Sequence, residues 1–321
     1  MKIKKIAVVT PGGDAPGMNP AVRAVVREAI LKGYEVMGIR RGFSGLIEDD
    51  LLEMHMRTVS GIINRGGTIL KTKRCAEIRT KPGLDKAIRT LKKHGIQALV
   101  IIGGDGSLAA GQKISSYGIP VINIPASIDN DIFGTEETIG YDTALNTAVD
   151  AIDKIRDTAT SHERIFIVEI MGREHGFLSL SVGLAAGAEF VIVPEKNISI
   201  STLVRQLKDE KRKGKTSLII VYAEGCGKIA EFAAEVQKRC VTEVRVSSLG
   251  YIQRGGVPSA RSRYLAGLFG SHAVRLLSDG KYNRLVAFSG GKICDLKFSE
   301  VAGREKAFNE ELYKTARRLS S

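Results

Sequence analysis

The sequence predicts an α/β fold in which mainly parallel sheets are covered by helices on both faces. Along most of the chain, β-branched apolar runs of strand length alternate with segments of helical pattern. The runs are predominantly apolar, which is typical of parallel strands buried on both faces. A chain of 321 residues with 43% hydrophobic residues is long enough for about two domains.

Nine runs are predicted to be strands. They are residues 6–10, 36–39, 98–102, 121–124, 165–169, 190–193, 218–222, 244–247 and 285–288. Ligands bind at the carboxyl ends of parallel strands, so the loops that follow these runs are where we expect the functional residues.

Two segments show clear helical patterns. In the first, Asn19 is predicted to cap a helix, Pro20 to occupy its first position and Gly33 to end it. Apolar residues over 22–30 follow the i, i+3, i+4 spacing that places them on one buried face. A second helix is predicted over about 143–156, again with an apolar face.

The net charge of +13 raises the possibility of a nucleic-acid partner. Apart from the run at 208–215, however, the basic residues are dispersed among Asp and Glu. Aromatic residues make up only 6% of the chain, and no aromatic-basic pattern indicates base stacking. We therefore expect small phosphorylated anions as partners and no nucleic acid.

Cysteine usage and hydropathy indicate a cytoplasmic protein. None of the four cysteines (Cys75, Cys226, Cys240 and Cys294) lies within four residues of another, so no zinc or redox spacing is present. No run approaches the roughly 18 apolar residues of a membrane helix. The first residues lead straight into a strand, without the pattern of a signal peptide.

Two glycine-rich loops follow predicted strands. The glycines of the loop over 11–17 would let the backbone approach a phosphate at a helix N-terminus. A tight strand-to-helix turn explains this loop equally well. The second loop, at 103–107, reads Gly-Gly-Asp-Gly-Ser. Its Asp105 would repel a phosphate unless Mg²⁺ bridged the two, which makes Asp105 a candidate metal ligand.

An acidic loop at 125–131 follows the next strand and contains Asp129 and Asp131. One carboxylate could deprotonate a hydroxyl nucleophile while the other helps to hold Mg²⁺. Two further loops place Arg173 and Arg254 beside glycines, where a guanidinium group can bind a phosphate.

Five motifs in this chain are typical of one enzyme family. They are Gly-Gly-Asp-Ala-Pro-Gly-Met-Asn at 12–19, Ile-Asn-Arg-Gly-Gly-Thr at 63–68, Gly-Gly-Asp-Gly-Ser at 103–107, Ile-Asp-Asn-Asp at 128–131 and Gly-Tyr-Ile-Gln-Arg-Gly-Gly at 250–256. On these residues the chain resembles the ATP-dependent 6-phosphofructokinase family, from the first strand to about Leu285. The resemblance implies transfer of the γ-phosphoryl group of ATP to the 1-hydroxyl of fructose 6-phosphate in glycolysis, giving fructose 1,6-bisphosphate and ADP.

The resemblance also implies the architecture. We expect two Rossmann-like three-layer αβα domains with the active site in the cleft between them. The larger, ATP-binding domain would comprise 1–139 and 252–305. The smaller, fructose 6-phosphate-binding domain would comprise 140–251 and 306–321.

Roles for individual residues follow from the same resemblance. Asp129 is expected to be the catalytic base, and Asp105 and Asp131 are expected to bind Mg²⁺. The other expected catalytic residues are Arg74, Ser127 and Arg173. Those expected to bind ATP are Gly13, Arg74, Cys75, Gly104, Asp105, Gly106 and Ser107. Those expected to bind fructose 6-phosphate are Ser127, Ile128, Asp129, Arg164, Met171, Gly172, Arg173, Glu224, Arg245, Tyr251, Ile252, Gln253 and Arg254.

Oligomeric state and regulation are implied as well. In family members the counterparts of Arg164 and Arg245 reach in from a neighbouring subunit, which implies a homotetramer built as a dimer of dimers. An effector site for ADP or phosphoenolpyruvate is implied by Arg23, Arg27, Arg156, Gly187, Glu189, Lys213 and Lys215. Met56 and Gly61 replace an Arg and an Asp there, and Tyr251 stands where many relatives have His.

The phosphoryl donor is predicted from two positions. Relatives that use pyrophosphate carry Asp in place of Gly106 and Lys in place of Ala126, so ATP is the expected donor. The alternatives are a pyrophosphate-dependent phosphofructokinase and a dinucleotide or lipid kinase with a similar Gly-Gly-Asp-Gly loop. A non-enzymatic alternative is a nucleotide-responsive module that binds nucleic acid.

Overall fold

The computed structural model describes residues 3–320, which divide into two compact units. The first comprises the chain up to Thr143 together with Arg254–Lys306, and the second comprises Ala144–Gln253 together with the chain from Ala307. Each unit has its own sheet with helices on both faces. The predicted α/β class with two Rossmann-like αβα units is therefore confirmed.

Twelve strands lie within residues 3–320. They are β1 (Lys5–Val9), β2 (Glu35–Ile39), β3 (Leu51–Met54), β4 (Ala98–Gly103), β5 (Val121–Ser127), β6 (Ile139–Gly140), β7 (Ile165–Ile170), β8 (Phe190–Ile192), β9 (Leu218–Ala223), β10 (Val244–Ser248), β11 (Arg284–Ser289) and β12 (Lys292–Lys297). All nine predicted strands are present, with small shifts at their ends.

Eleven α-helices lie within the same described part of the chain. They are α1 (Met18–Leu31), α2 (Gly42–Glu48), α3 (Lys81–Lys93), α4 (Asp105–Ser115), α5 (Tyr141–Ser161), α6 (Phe177–Ala185), α7 (Ile200–Arg212), α8 (Ile229–Gln237), α9 (Ala260–Ser278), α10 (Phe298–Val301) and α11 (Glu310–Leu319). Short 3-10 turns occur at Glu77–Arg79, Glu224–Cys226 and Gly250–Arg254.

The sheet of the first unit is mainly parallel, in the order β12-β11-β5-β4-β1-β2-β3, with β6 beside β5. Only β3 and β12 pair in the antiparallel sense among the described strands. On one face of the sheet α1 packs against α9, while side chains of α2, α3 and α4 bury a cluster with β1 and β4 on the other. The buried strands end at one edge, where the loops of interest begin.

The capping prediction for α1 was wrong. The helix begins at Met18, and its cap is Gly17, whose φ of 114° favours glycine. Asn19 is instead buried in the first turn, where its Nδ2 donates to the carbonyls of Arg65 (3.0 Å) and Gly66 (3.1 Å). Its Oδ1 accepts a hydrogen bond from the amide of Ile69 at 2.7 Å. Asn19 therefore holds the Ile-Asn-Arg-Gly-Gly-Thr motif in place.

The sheet of the second unit is parallel throughout its described strands, in the order β10-β7-β9-β8. Leucine and valine side chains of α7 and α8 cover one face. Helices α6 and α11 pack together on the opposite side of the sheet. Helix α5 carries the chain from the first unit into the second and is longer at both ends than the predicted helix over 143–156.

Within residues 3–320, no helix combines the length and the apolar character that a membrane crossing requires.

Candidate active site

Three loops of the first unit meet at the carboxyl edge of its sheet. Strands β1, β4 and β5 are parallel neighbours, with Val9 opposite Ile101 and Gly103 opposite Pro125. Each strand therefore delivers its loop to the same edge, which is the usual ligand-binding edge of such sheets.

The two glycine-rich loops are packed against each other. Ser107 Oγ donates to the carbonyl of Pro11 at 3.2 Å. A Cβ atom at Gly103 would lie 2.5 Å from Ser107 Oγ, so this approach requires glycine. From a third segment, Thr72 Oγ1 donates to the carbonyl of Gly12 at 2.9 Å. The backbones around these residues thus form one cradle.

Helix α4 starts inside this cradle. Its cap is Gly104, and its first residues Asp105 and Gly106 are exposed, whereas Ser107 is buried. The first amide groups of a helix have no helical acceptors, so this end of α4 favours an anion. Arg79 Nη2 lies 3.8 Å from the position of a Cβ atom at Gly106, which adds a cation beside the turn. No motif around Arg79 had indicated this placement from the sequence.

The remaining predicted nucleotide contacts lie on segments beside the cradle. Gly13 is half-buried on the first loop, and Arg74 is exposed two residues beyond Thr72. Cys75 is half-buried and packs against the core cluster below α3 and α4.

The acidic loop lies directly against the Gly-Gly-Asp-Gly turn. A Cβ atom at Gly104 would lie 3.7 Å from the carbonyl oxygen of Ala126 and 4.0 Å from Ser127 Oγ. Ser127 Oγ accepts a hydrogen bond from the amide of Asp129 at 3.1 Å, and only 3% of Asp129 is exposed. The structure thus brings together the two loops that carry the predicted metal ligand and the predicted base.

A buried asparagine shapes the acidic loop between its two carboxylates. Asn130 has a left-handed φ of 54°. Its Nδ2 donates to the carbonyl of Glu136 at 3.0 Å, and its Oδ1 accepts from the amide of Thr138 at 3.0 Å. Next to it, Asp131 Oδ1 is buried and accepts no hydrogen bond from the described residues. That oxygen is therefore available to a cation.

Lys306 is a further residue at this loop that sequence reasoning missed. Its ammonium group donates to the carbonyls of Asn130 (2.9 Å) and Glu136 (3.2 Å). Burial lowers the pKa of Lys306 to about 8, and the carboxylates of Asp131, Glu136 and Glu137 oppose this shift.

In the second unit, the loops after β7 and β9 also meet. Glu224 Oε2 accepts hydrogen bonds from the amides of Gly172 (3.2 Å) and Arg173 (3.1 Å). Arg173 is exposed with a left-handed φ of 52°. The structure therefore groups Met171, Gly172, Arg173 and Glu224, four residues that the family resemblance assigns to fructose 6-phosphate.

Arg164 and Arg245 lie away from that group. Both form ion pairs with Glu243. Arg164 and Glu243 come just before β7 and β10, whereas Met171 follows β7. Seven residues of extended chain span about 20 Å, so Arg164 lies at the opposite end of the strands from Met171.

The turn after β10 is strongly exposed at its tip. Tyr251 is 79% exposed and Ile252 is 57% exposed, while Gln253 is fully buried. Gln253 Nε2 donates to the carbonyl of Gly250 at 3.2 Å, so its described contact supports the turn. Arg254, half-buried, begins the return of the chain to the first unit.

Comparison with known proteins agrees with this arrangement. A profile of the phosphofructokinase family matches residues 5–277. The chain belongs to the phosphofructokinase family.

Individual relatives cover the chain almost completely. A protein of Clostridioides difficile named ATP-dependent 6-phosphofructokinase is 51% identical over 318 residues, which are 99% of this chain and 100% of that protein. A protein of the same name from Halalkalibacterium halodurans is 48% identical with the same coverage. The solved structure of Pichia pastoris phosphofructokinase in the T-state is 35% identical, with a TM-score of 0.87. That match covers 94% of this chain and 35% of the longer Pichia chain.

Five of the seven predicted effector residues come together in the second unit. Arg156 Nη2 donates to the carbonyls of Ala186 (2.7 Å) and Gly187 (3.0 Å). Glu189 lies 3.8 Å from both Arg156 and Lys215. Lys213 and Lys215 in turn pair with Glu210 at 2.7 and 3.1 Å. The cations thus hold two carboxylates in one network.

The other two predicted effector residues lie in the first unit. Arg23 and Arg27 are half-buried one turn apart on α1. Burial, and the neighbouring positive charge of Arg27, lower the pKa of Arg23. An anion bound between them would relieve this repulsion.

Proposed function

We propose that the chain is an ATP-dependent 6-phosphofructokinase that converts fructose 6-phosphate and ATP into fructose 1,6-bisphosphate and ADP in glycolysis. The observation that carries this proposal is the direct packing of the Gly103–Ser107 turn against the loop of Ser127 and Asp129. The full-length relatives at 48–51% identity support the same reaction.

The reaction needs a base for the sugar hydroxyl. Asp129 is the proposed base, and it accepts the proton of the 1-hydroxyl group while the oxygen attacks the γ-phosphorus and the bond to ADP breaks. Its backbone amide is fixed by Ser127 Oγ, which limits the positions that the carboxylate can take. Burial of Asp129 limits the access of water to its carboxylate.

Negative charge on the phosphoryl groups needs neutralisation. In the first unit, the N-terminus of α4 and Arg74 are proposed to bind the ATP phosphates. In the second unit, Arg173 is proposed to bind the transferring phosphoryl group, and its backbone is held by Glu224.

Asp105 on the glycine-rich loop and Asp131 on the acidic loop carry carboxylate oxygens, which are ligands that Mg²⁺ prefers. Asp105 is exposed, and Asp131 Oδ1 accepts no hydrogen bond from the described residues. Residues 3–320 contain no group of three or more His, Cys, Asp or Glu side chains placed to hold a metal ion. We propose that Asp105 and Asp131 hold Mg²⁺ only together with nucleotide oxygens and water, as Mg²⁺ commonly binds in kinases. Such an ion would supply positive charge beside the phosphates.

The sugar phosphate is proposed to bind the second unit through Met171, Gly172, Arg173 and Glu224. Tyr251 and Arg254 are proposed to contact the 6-phosphate, with Ile252 and Gln253 shaping that turn. Arg164 and Arg245 cannot join Met171 within one second unit, because they lie at the other edge of its sheet. We propose that they serve a neighbouring subunit in a homotetramer.

The ion-pair network of Arg156, Glu189, Lys213 and Lys215, with the adjoining backbone of Gly187, is proposed to bind ADP or phosphoenolpyruvate. Arg23 and Arg27 are proposed to contact the same effector from a neighbouring subunit. Both effectors are anions that could displace Glu210 from the lysines. The test is titration of each effector into curves of rate against fructose 6-phosphate. Flat responses to both would end the proposal of an effector site.

A cytoplasmic location is proposed because glycolytic substrates are found there. The four free cysteines support it, since unpaired thiols persist in a reducing compartment.

One assay tests the proposed reaction. The purified chain is incubated with Mg-ATP and fructose 6-phosphate, and ADP release is followed by a coupled enzyme. With pyrophosphate as donor, the formation of fructose 1,6-bisphosphate is followed instead. Activity is expected with this pair and not with pyrophosphate as donor or with NAD as acceptor. Greater activity with pyrophosphate would favour the pyrophosphate-dependent alternative, and phosphorylation of NAD alone would favour a dinucleotide kinase.

A further inference from the structure

Lys306 lies outside the residues matched by the family profile, yet it contacts the loop of the proposed base. The profile ends at residue 277, and Lys306 is the last residue of the first unit. Its ammonium group donates to the carbonyls of Asn130 and Glu136. These carbonyls lie on opposite sides of the loop over 128–138, so the Lys306 side chain links the two sides by hydrogen bonds.

The backbone conformation at Asn130 requires stabilising hydrogen bonds of this kind. This residue lies between Asp129 and Asp131 and adopts a left-handed conformation that asparagine tolerates at a cost. Two donors, Asn130 Nδ2 and Lys306 Nζ, converge on the carbonyl of Glu136. A third bond, from Lys306 to the Asn130 carbonyl, fixes the peptide plane that leads into Asp131.

Neighbouring residues hold Lys306 against this loop. The guanidinium carbon of Arg304 lies 5.4 Å from the ring centroid of Phe133, a cation–π contact. A Cβ atom at Gly134 would clash with Leu296 and would lie 3.5 Å from Val301 Cγ1. The segment from β12 to Lys306 therefore packs against the loop between Asn130 and Glu136.

We propose that Lys306 is a positioning residue for phosphoryl transfer, which orients Asp129 and Asp131 through the Asn130 and Glu136 carbonyls. Its positive charge also offsets the repulsion among Asp131, Glu136 and Glu137, which all face it. This inference rests on the proposed function, because the groups that it orients are the proposed base and metal ligand.

The test compares Lys306→Met and Lys306→Arg in the full chain. For Lys306→Met, kcat is expected to fall about 10- to 100-fold while KM for ATP and fructose 6-phosphate changes less than about threefold. Lys306→Arg keeps a charged donor and is expected to recover most of kcat. Lys292→Met removes the same charge from an exposed site on β12 and serves as the matched control, with wild-type kinetics expected.

Hydrogen exchange supplies a second readout that does not depend on activity. In Lys306→Met, faster amide exchange is expected in peptides over 128–138, and exchange in the second unit is expected to stay unchanged. If the wild-type chain fails to phosphorylate fructose 6-phosphate, the proposed function is wrong, and this exchange comparison alone decides whether Lys306 holds the loop.

Three results would overturn the proposal. One is a kcat for Lys306→Met within twofold of wild type. Another is an Arg variant as impaired as the Met variant, with exchange over 128–138 unchanged in both. The last is failure of Lys306→Met and Lys306→Gln to fold, since Lys306 would then serve the stability of the unit rather than the position of its carboxylates.

Discussion

At the scale of single residues, Asp129 is the side chain whose chemical role is easiest to isolate. Asp129→Asn keeps the shape and the hydrogen bond from the backbone amide to Ser127 but cannot accept the hydroxyl proton. We expect kcat to fall by about 10²–10⁴-fold, with KM for both substrates largely retained. Steady-state kinetics measure this, with Asp279→Asn, an exposed aspartate at the end of α9, as the matched control. Near-normal turnover would remove Asp129 from the role of base.

Gly106 tests the choice of phosphoryl donor. Its backbone does not require glycine, since a Cβ atom would meet only the end of Arg79 at 3.8 Å. In Gly106→Asp, the new carboxylate would face the phosphates at the start of α4, so kcat/KM for ATP is expected to fall by at least about tenfold. Gly106→Ala adds the same Cβ atom without charge and is expected to be affected much less. Equal losses in the two variants would show that the charge has no part in the effect.

Residues that carry a motif could be predicted from sequence, and residues that act through distant contacts could not. Asp105 and Asp129 stand in short patterns directly after apolar strands, and those patterns placed them on adjacent loops. Lys306 reaches Asn130 across 176 positions, and nothing in its local sequence signals that contact. Asn19 has the residue type of a cap, but its side chain bonds to a loop about 46 positions away instead.

At the scale of secondary-structure elements, parallel strands were predictable because both of their faces are buried. Strands β1, β4 and β9 are almost entirely buried, and their sequences are continuously apolar after Lys5 at the start of β1. The edge strands β3 and β12 were missed because they are half exposed and carry charged residues. Strand β12 also follows β11 after only two residues, so no long crossover signals it.

The end of α7 gives a pH-dependent prediction. A hydrogen bond from Lys213 lowers the pKa of Glu210, Lys215 adds to the effect, and burial opposes it. A carboxyl group with a lowered folded-state pKa stabilises the protein above its unfolded pKa of about 4.3, and this stabilisation is lost as pH falls through the folded value. Glu210→Gln is therefore expected to lower Tm most near neutral pH, with the gap to wild type closing as the pH falls below the unfolded value of about 4.3.

Thermal unfolding followed at several pH values measures that gap. Glu231→Gln removes an exposed carboxylate that pairs with Lys228 on α8, and it is the matched control. Its effect on Tm is expected to be small throughout, as is usual for exposed ion pairs. A Glu210→Gln gap that stays constant or widens at low pH would contradict the proposed contribution of this network to stability.

At the scale of the whole molecule, the chain passes from one unit to the other three times. The first unit is completed by Arg254–Lys306 and the second by the chain from Ala307. Composition shows no linker at these points, since the crossings lie inside α5, at the turn after β10 and after α10. The assignment of ATP to the first unit and of fructose 6-phosphate to the second remains a prediction.

Arg164 provides the test of assembly. Arg164 precedes β7 and Arg173 follows it, so within one chain the two residues lie at opposite ends of the strands of the second unit. If Arg164 serves a neighbouring subunit, Arg173→Ala and Arg164→Ala should each be nearly inactive alone but should complement each other in mixed oligomers. Random assortment would leave about a quarter of the sites with both arginines intact.

Co-expression of the two variants with different tags, followed by tandem purification, isolates these mixed oligomers. Light scattering is expected to give the mass of four chains, and the coupled assay is expected to show restored activity. Replacing the Arg164→Ala partner by a chain that carries both substitutions removes every intact site and should abolish the recovery. Mixed oligomers that are no more active than the single variants would mean that each Arg164 serves its own chain or no active site. Because Arg164 and Arg173 lie at opposite ends of the strands in the second unit, Arg164 would then have no part in phosphoryl transfer.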